Sequence, residues 1–237
     1  MYLHKQDDVE HGEEIKLLLV DATPDIRSGF VKKVYGLVGV QLLLTFGWML
    51  LVSSQQDVQS YVLHTPGVRT SCSILGLVLI CPLMVYKDRY PLNLVLLLGF
   101  TMCEAYTLGV LGAAYAAQTQ NYLIVFSLGL TMTVFVILSS YVHVTQRDMS
   151  FLEEGLTVTT LTLVGMGLFA MFLPYSSTLH LFVSGVGVIV FSGYVLYDTS
   201  TMIHYMTPDD AVIAAVQLYL DIINLFLCIL QLFSTRE

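Results

Sequence analysis

Three carboxylates, Glu104, Asp198 and Asp221, lie inside apolar runs that contain no lysine or arginine. Each run is long enough to cross a bilayer, which needs roughly 17–25 apolar residues for a core about 30 Å thick. A charge near the bilayer centre costs between about 2.5 and about 17 kcal/mol, so such acids face a protein interior and serve ion or proton traffic. With no cation on their own spans, these carboxylates are left to be protonated, solvated, paired near a helix end, or occupied by a metal ion or proton in transit. The chain is therefore expected to be a membrane protein that handles cations.

Seven apolar segments are legible, at about 31–53, 69–86, 92–114, 121–142, 156–174, 179–203 and 211–233. They are continuously apolar and lack the alternation of period two that barrel strands show, so an all-α bundle of seven transmembrane helices is expected. The last segment is the least secure span and is open to a re-entrant reading. Asp209 and Asp210 stand at its start, and Gln217, Asp221, Asn224 and Gln231 interrupt it. Charged residues are 12% of the chain, about half the share in a soluble domain, and there is no basic patch for nucleic acid.

Residues 1–30 are expected to form an acidic cytosolic tail, flexible through about residue 27, with Asp7, Asp8, Glu10, Glu13 and Glu14 clustered in it. The apolar run Leu17–Val20 is too short for a signal-peptide core, so the first span is read as its own signal anchor. The bundle then covers 31–233 and a short tail 234–237. With the N-terminus in the cytosol, Lys5, Lys16, Arg27, Lys32, Lys33, Lys87, Arg89 and Arg147 fall on the cytosolic side. Only Arg69 falls opposite, with Arg236 undecided, and this asymmetry sets the orientation. Cys72, Cys81, Cys103 and Cys228 lie inside spans at spacings that suit neither zinc nor a disulfide framework, and read as buried fillers.

The last two spans carry the chemistry. Asp210, Gln217, Asp221, Asn224, Cys228 and Gln231 recur in steps of three, four or seven, which places them on one helical stripe opposite Leu218, Ile222, Leu225, Phe226, Ile229 and Phe233. On the preceding span Ser184, Gly187, Phe191, Tyr194 and Asp198 follow the same stepping. Asp198 lies about five residues from the cytosolic end and Asp221 about ten residues into the returning helix, a depth difference of only ~7 Å. Antiparallel packing could bring the two carboxylates together, to share a proton or to bind calcium transiently. Two unrelated buried acids remain the alternative. Glu104 reads either as a protonated hydrogen-bond donor or as a lining position on a cation route. His143 and His204 lie near cytosolic helix ends, where histidine can assist a pH response.

Several motifs at these positions resemble the transmembrane Bax-inhibitor-motif proteins, in particular the Lifeguard branch that includes the Golgi anti-apoptotic proteins. They are Lys87-Asp88-Arg89-Tyr90-Pro91-Leu92-Asn93, Gly99-Phe100-Thr101 with Glu104, Tyr197-Asp198-Thr199, and Leu218 to Phe226 with Asp221 at its centre. Arg27 to Leu44, with Lys33-Val34-Tyr35-Gly36, fits as well. The resemblance implies a seven-helix bundle around a central last helix, and a pH-sensitive calcium leak of Golgi or endoplasmic reticulum membranes that restrains apoptosis. It implies no enzyme and no cofactor, with calcium as the permeant ion. Protons, the lipid bilayer and apoptosis regulators of the Bcl-2 family are the implied partners, and nucleic acid is not among them. By motif, Asp198 and Asp221 match the family's paired aspartates, which latch the pore. Asp209 matches an acidic position near the pore in the Golgi branch, and Glu104, Gln217 and Asn224 are further lining candidates. An arginine that contacts the pair in bacterial relatives has no match here, with Lys87 and Arg89 as the only candidates. Where Golgi-type members carry another acid before the sixth span, this chain has Tyr175-Ser176-Ser177.

Two other classes use the same carboxylates. Intramembrane aspartyl proteases pair two aspartates, the first in a Tyr-Asp motif like Tyr197-Asp198. Their second aspartate follows Gly-X-Gly, whereas Asp221 follows Leu218-Tyr219-Leu220. A cation/proton exchanger would need the same residues as a leak.

Overall fold

A computed structural model of the protein describes residues 19, 22–118, 121–170, 172 and 176–234. Among these residues there is no strand. Eight α-helices follow one another: α1 (Pro24–Ser54), α2 (Gln56–Leu63), α3 (Pro66–Val85), α4 (Leu92–Ala117), α5 (Asn121–Thr145), α6 (Glu153–Ala170), α7 (Ser177–His204) and α8 (Ala211–Ser234). Six of them are long and apolar enough to cross a membrane: α1, α3, α4, α5, α7 and α8 with its preceding turn. This is the body of a helical membrane protein.

Six such helices stand where seven spans were expected. The run at 156–174 appears as α6, whose 18 described residues open on Glu153 and Glu154. The two acids lower the apolar character of these residues. The short helix α2 was not anticipated from the sequence.

The N-terminal boundary also moves. Proline suits the first helical position, where its missing N–H is not needed, and α1 starts at Pro24 rather than near residue 31. Leu19, assigned to a flexible tail, is fully buried, and its N–H donates to the Met206 carbonyl at 3.0 Å. The run Leu17–Val20 is too short to cross a bilayer, but one buried leucine is worth about 1.5–3 kcal/mol. The acidic residues 7–14 lie outside the described residues.

Helix α8, the least secure span in the sequence, stands at the centre. It packs against α1, α4, α5 and α7, while α3 leans mainly on α4 and α6 on α7. In the most apolar stretch of α8, 61% is buried, against 11% in α3. Leu218, Ile222, Leu225 and Phe226 are wholly enclosed, so the apolar face drives the helix inward and the polar stripe does not expel it. Phe46 packs edge-on to Phe226 at 5.0 Å, and Phe100 packs on Tyr219 at 6.0 Å. Hydrogen bonds from Gln41 to Thr101 (3.1 Å) and between Thr45 and Tyr219 (2.9 Å) bind α1 to α4 and α8. Gly112 permits the close α1–α4 approach, since a Cβ there would stand 2.8 Å from Met49 Cγ.

One end of the bundle is tied by polar contacts. Arg27 donates to Gln146, Lys87 to Asp210 and Tyr205 to Asp148, and the Met149 N–H reaches Ser200 Oγ at 3.0 Å. The start of α1, the α3–α4 and α5–α6 loops and the α7–α8 turn therefore meet there. The basic residues Arg27, Lys87, Arg89 and Arg147 gather at this end, and Arg69 opens α3 at the other. Lys5, Lys16 and Arg236 lie outside the described residues.

Candidate functional site

Six residues join α7 to α8. His204 closes α7 by holding the Ser200 carbonyl with Nδ1 at 2.9 Å. Thr207 donates through its N–H (2.9 Å) and Oγ1 (2.7 Å) to Asp210 Oδ2, so the turn is fixed by a capping box. Folded back by this turn, α7 and α8 run antiparallel and bring Asp198 to Asp221. The two carboxyl groups come close enough to perturb each other, and only 7% and 6% of the two residues is exposed. An ionised carboxylate only accepts hydrogen bonds, so a hydrogen bond between the two would need a proton on one partner. Asp221 Oδ2 is buried with no hydrogen-bond partner among the described residues.

Among the described residues no basic side chain acts on the pair. The ion pair of Lys87 is with Asp210, and the Arg89 guanidinium stands 5.5 Å over the Tyr86 ring. Both candidates for the missing arginine are thus engaged elsewhere.

The polar stripe of α8 continues along α7. A Cβ on Gly187 would come within 2.6 Å of Cys228 Sγ, and Gln231 Nε2 lies 3.0 Å from His180 Nδ1. Gln217 and Asn224 are half-buried, and Gln217 Oε1 is buried without a partner. The α7 stripe divides: Tyr194 turns to α6, where it accepts from Thr160 Oγ1 at 3.2 Å, and the Phe191 ring packs on it. Stepping of three and four placed these residues on one broad face without showing that two helices share it.

The other expected site residues lie elsewhere. Glu104 is half-buried at the α3–α4 contact, where a Cβ on Gly76 would stand 3.1 Å from its Oε1. Asp209 is exposed in the turn before α8. Of the cysteines read as buried fillers, Cys103 is buried, Cys72 and Cys228 are half-buried, and Cys81 is exposed on α3, because that helix turns most of its surface outward.

The model of a family described as inhibitor of apoptosis-promoting Bax1 matches residues 27–237. The chain belongs to this Bax inhibitor family. It is 33% identical over 232 residues to the Golgi anti-apoptotic protein of Vaccinia virus (strain Lister), covering 98% of this chain and 94% of the relative. It is 36% identical over 210 residues to the BI1-like protein of Arabidopsis thaliana, covering 87% and 80%. Protein lifeguard 4 of Mus musculus is 32% identical over 226 residues, covering 95% and 91%.

In this Bax inhibitor chain, no three histidine, cysteine or acidic side chains among the described residues gather as metal ligands. A calcium ion at the pair would meet two carboxylates and complete its shell with other oxygens, as a passing ion can. One contact was missed in the sequence: Tyr35 Oη and His143 Nε2 meet at 2.9 Å between α1 and α5. With the two 108 positions apart, no local spacing could have signalled it.

Proposed function

We propose that this Bax inhibitor family member is a pH-sensitive calcium leak of Golgi and endoplasmic reticulum membranes that lowers store calcium and thereby restrains apoptosis. The contact of Asp198 with Asp221, at the heart of the bundle, carries the reading. Two carboxyls joined by one proton hold α7 to α8. Losing that proton sets like charges against each other and frees oxygens for a calcium ion. Gln217 and Asn224, on the same stripe, offer further oxygens on either side of Asp221. Asp209 stands exposed at the turn, as an acid at an ion entrance would. Glu104 lies apart, and its part is at the α3–α4 contact. The apoptotic role draws support from the family and from the names of the viral and mouse relatives, with regulators of the Bcl-2 family as partners.

Calcium flux in proteoliposomes, with and without an imposed proton gradient, tests this. A leak passes calcium down its own gradient with no proton gradient present. Flux that runs only when protons are driven the other way would make the protein an exchanger.

A further inference from the structure

Beyond the aspartate pair, toward the far end of the bundle, α5, α7 and α8 enclose hydroxyls that satisfy nothing. Ser127 and Ser184 are 0% and 1% exposed, and neither Oγ has a hydrogen-bond partner among the described residues. Hydroxyls inside helices ordinarily return their proton to a carbonyl one turn back, as Thr131 does to Ser127 O at 2.7 Å. These two serines do not. Ser127 belongs to the buried stripe of α5 and neighbours Phe126, whose ring packs on Phe233 near the end of α8. Ser184 lies on α7 between His180, which meets Gln231, and Gly187, which meets Cys228. Orphaned buried hydroxyls are costly unless the site takes a polar guest.

We propose that Ser127, Ser184, Gly187, Cys228, His180 and Gln231 form the part of the calcium route that continues from the aspartate pair to the far end of the bundle. This rests on the leak proposed above. The serine hydroxyls and the Gln231 amide replace part of the ion's hydration shell, since calcium takes oxygen ligands from hydroxyl, amide and water alike. Gly187 packs directly against Cys228 where α7 meets α8. A side chain at 187 would meet the thiol at 2.6 Å but the Cys228 Cβ only at 3.5 Å, so the thiol is the group an added methyl would strike.

The test combines flux with thiol chemistry on purified protein in liposomes. Gly187→Ala is expected to lower calcium flux by about fivefold or more, because packed interiors absorb an added methyl poorly. Gly187→Ala/Cys228→Ala is expected to recover most of it. Mass spectrometry after treatment with a small charged methanethiosulfonate, applied from both sides, is expected to find Cys228 modified well before Cys103. Wild-type flux in Gly187→Ala, or a double variant as slow as the single one, would overturn the proposal, as would a Cys228 no more reactive than Cys103. If the wild type passes no calcium while Cys228 is modified, the leak fails, the calcium assignment of this route fails with it, and a solvated column remains. No flux together with an unreactive Cys228 removes both.

Discussion

Lys87 and Asp210, 123 positions apart, close one end of the bundle as an ion pair. The second oxygen of the same carboxylate is held by Thr207. A single acid thus fastens the α3–α4 loop to the turn whose two helices carry Asp198 and Asp221.

Replacing Lys87 with methionine removes this fastening while keeping the length of the side chain. The side chains are 32% and 16% exposed, so solvent screening limits the loss of stability to on the order of 1 kcal/mol. Hydrogen bonding to Asp210 raises the Lys87 pKa above its ordinary value, against the opposing effect of partial burial. A raised lysine pKa contributes stability that is complete below the ordinary lysine value and fades only as pH climbs through the raised one. Lys87→Met should therefore lower the melting temperature by the same few degrees at pH 6 and pH 8. A deficit confined to one of these pH values would contradict this account of the pair.

Tyr219 and Thr45 are both wholly buried, and their hydroxyls bond across the α1–α8 contact. Tyr219→Phe leaves the Thr45 hydroxyl without its cross-helix partner and should cost about 1–2 kcal/mol. Thr45→Val with Tyr219→Phe removes both polar ends and should recover part of that loss. Thermal unfolding in detergent of the single and double variants measures the coupling.

The helical membrane fold was legible because continuous apolar runs leave the backbone no alternative in lipid. The similar depth of Asp198 and Asp221 was legible too, since helix rise converts residue count into depth, but spacing alone left open whether the two meet. What the residues could not show is which neighbour each face meets. Of the polar side chains that made 211–233 look doubtful as a span, Asp221 and Gln231 meet α7, and the same helix is the most enclosed in the bundle. Glu104 gave no sign of belonging to α3 and α4 rather than to the pair, because depth alone does not fix the angle around a helix. The Lys87–Asp210 and Tyr35–His143 contacts are products of tertiary packing and leave no periodic trace.

Asp221→Asn should leave the protein folded and in the membrane while reducing or deregulating calcium flux. An amide keeps the shape and can still donate to Asp198, but it can neither ionise nor repel its partner. Reconstituted Asp221→Asn protein with wild-type flux at every pH would remove Asp221 from the mechanism.

Orientation follows from the end at which the basic residues gather. A cysteine placed at 88, in the loop of Lys87 and Arg89, should react with an impermeant reagent on the cytosolic side of sealed vesicles. A cysteine at 70, beside Arg69, should be protected. The reverse pattern would invert the bundle and move the Lys87–Asp210 end to the lumen.

The pH dependence of calcium passage should follow the aspartate pair and not a histidine. At intermediate pH one proton is shared and α7 is held to α8. As pH rises the proton leaves, two negative charges face each other in a poorly solvated site, and the open arrangement gains. Under strong acid both groups are protonated, the ionic part of the bond is lost, and the latch loosens again. The profile from about pH 5 to 8 should therefore be non-monotonic, whereas a single histidine would give one sigmoid. Asp198→Asn should flatten it. His204→Ala should leave its shape in place, because His204 bonds Ser200 on its own helix and not the pair. A profile that survives Asp198→Asn and vanishes in His204→Ala would transfer the sensor to the end of α7.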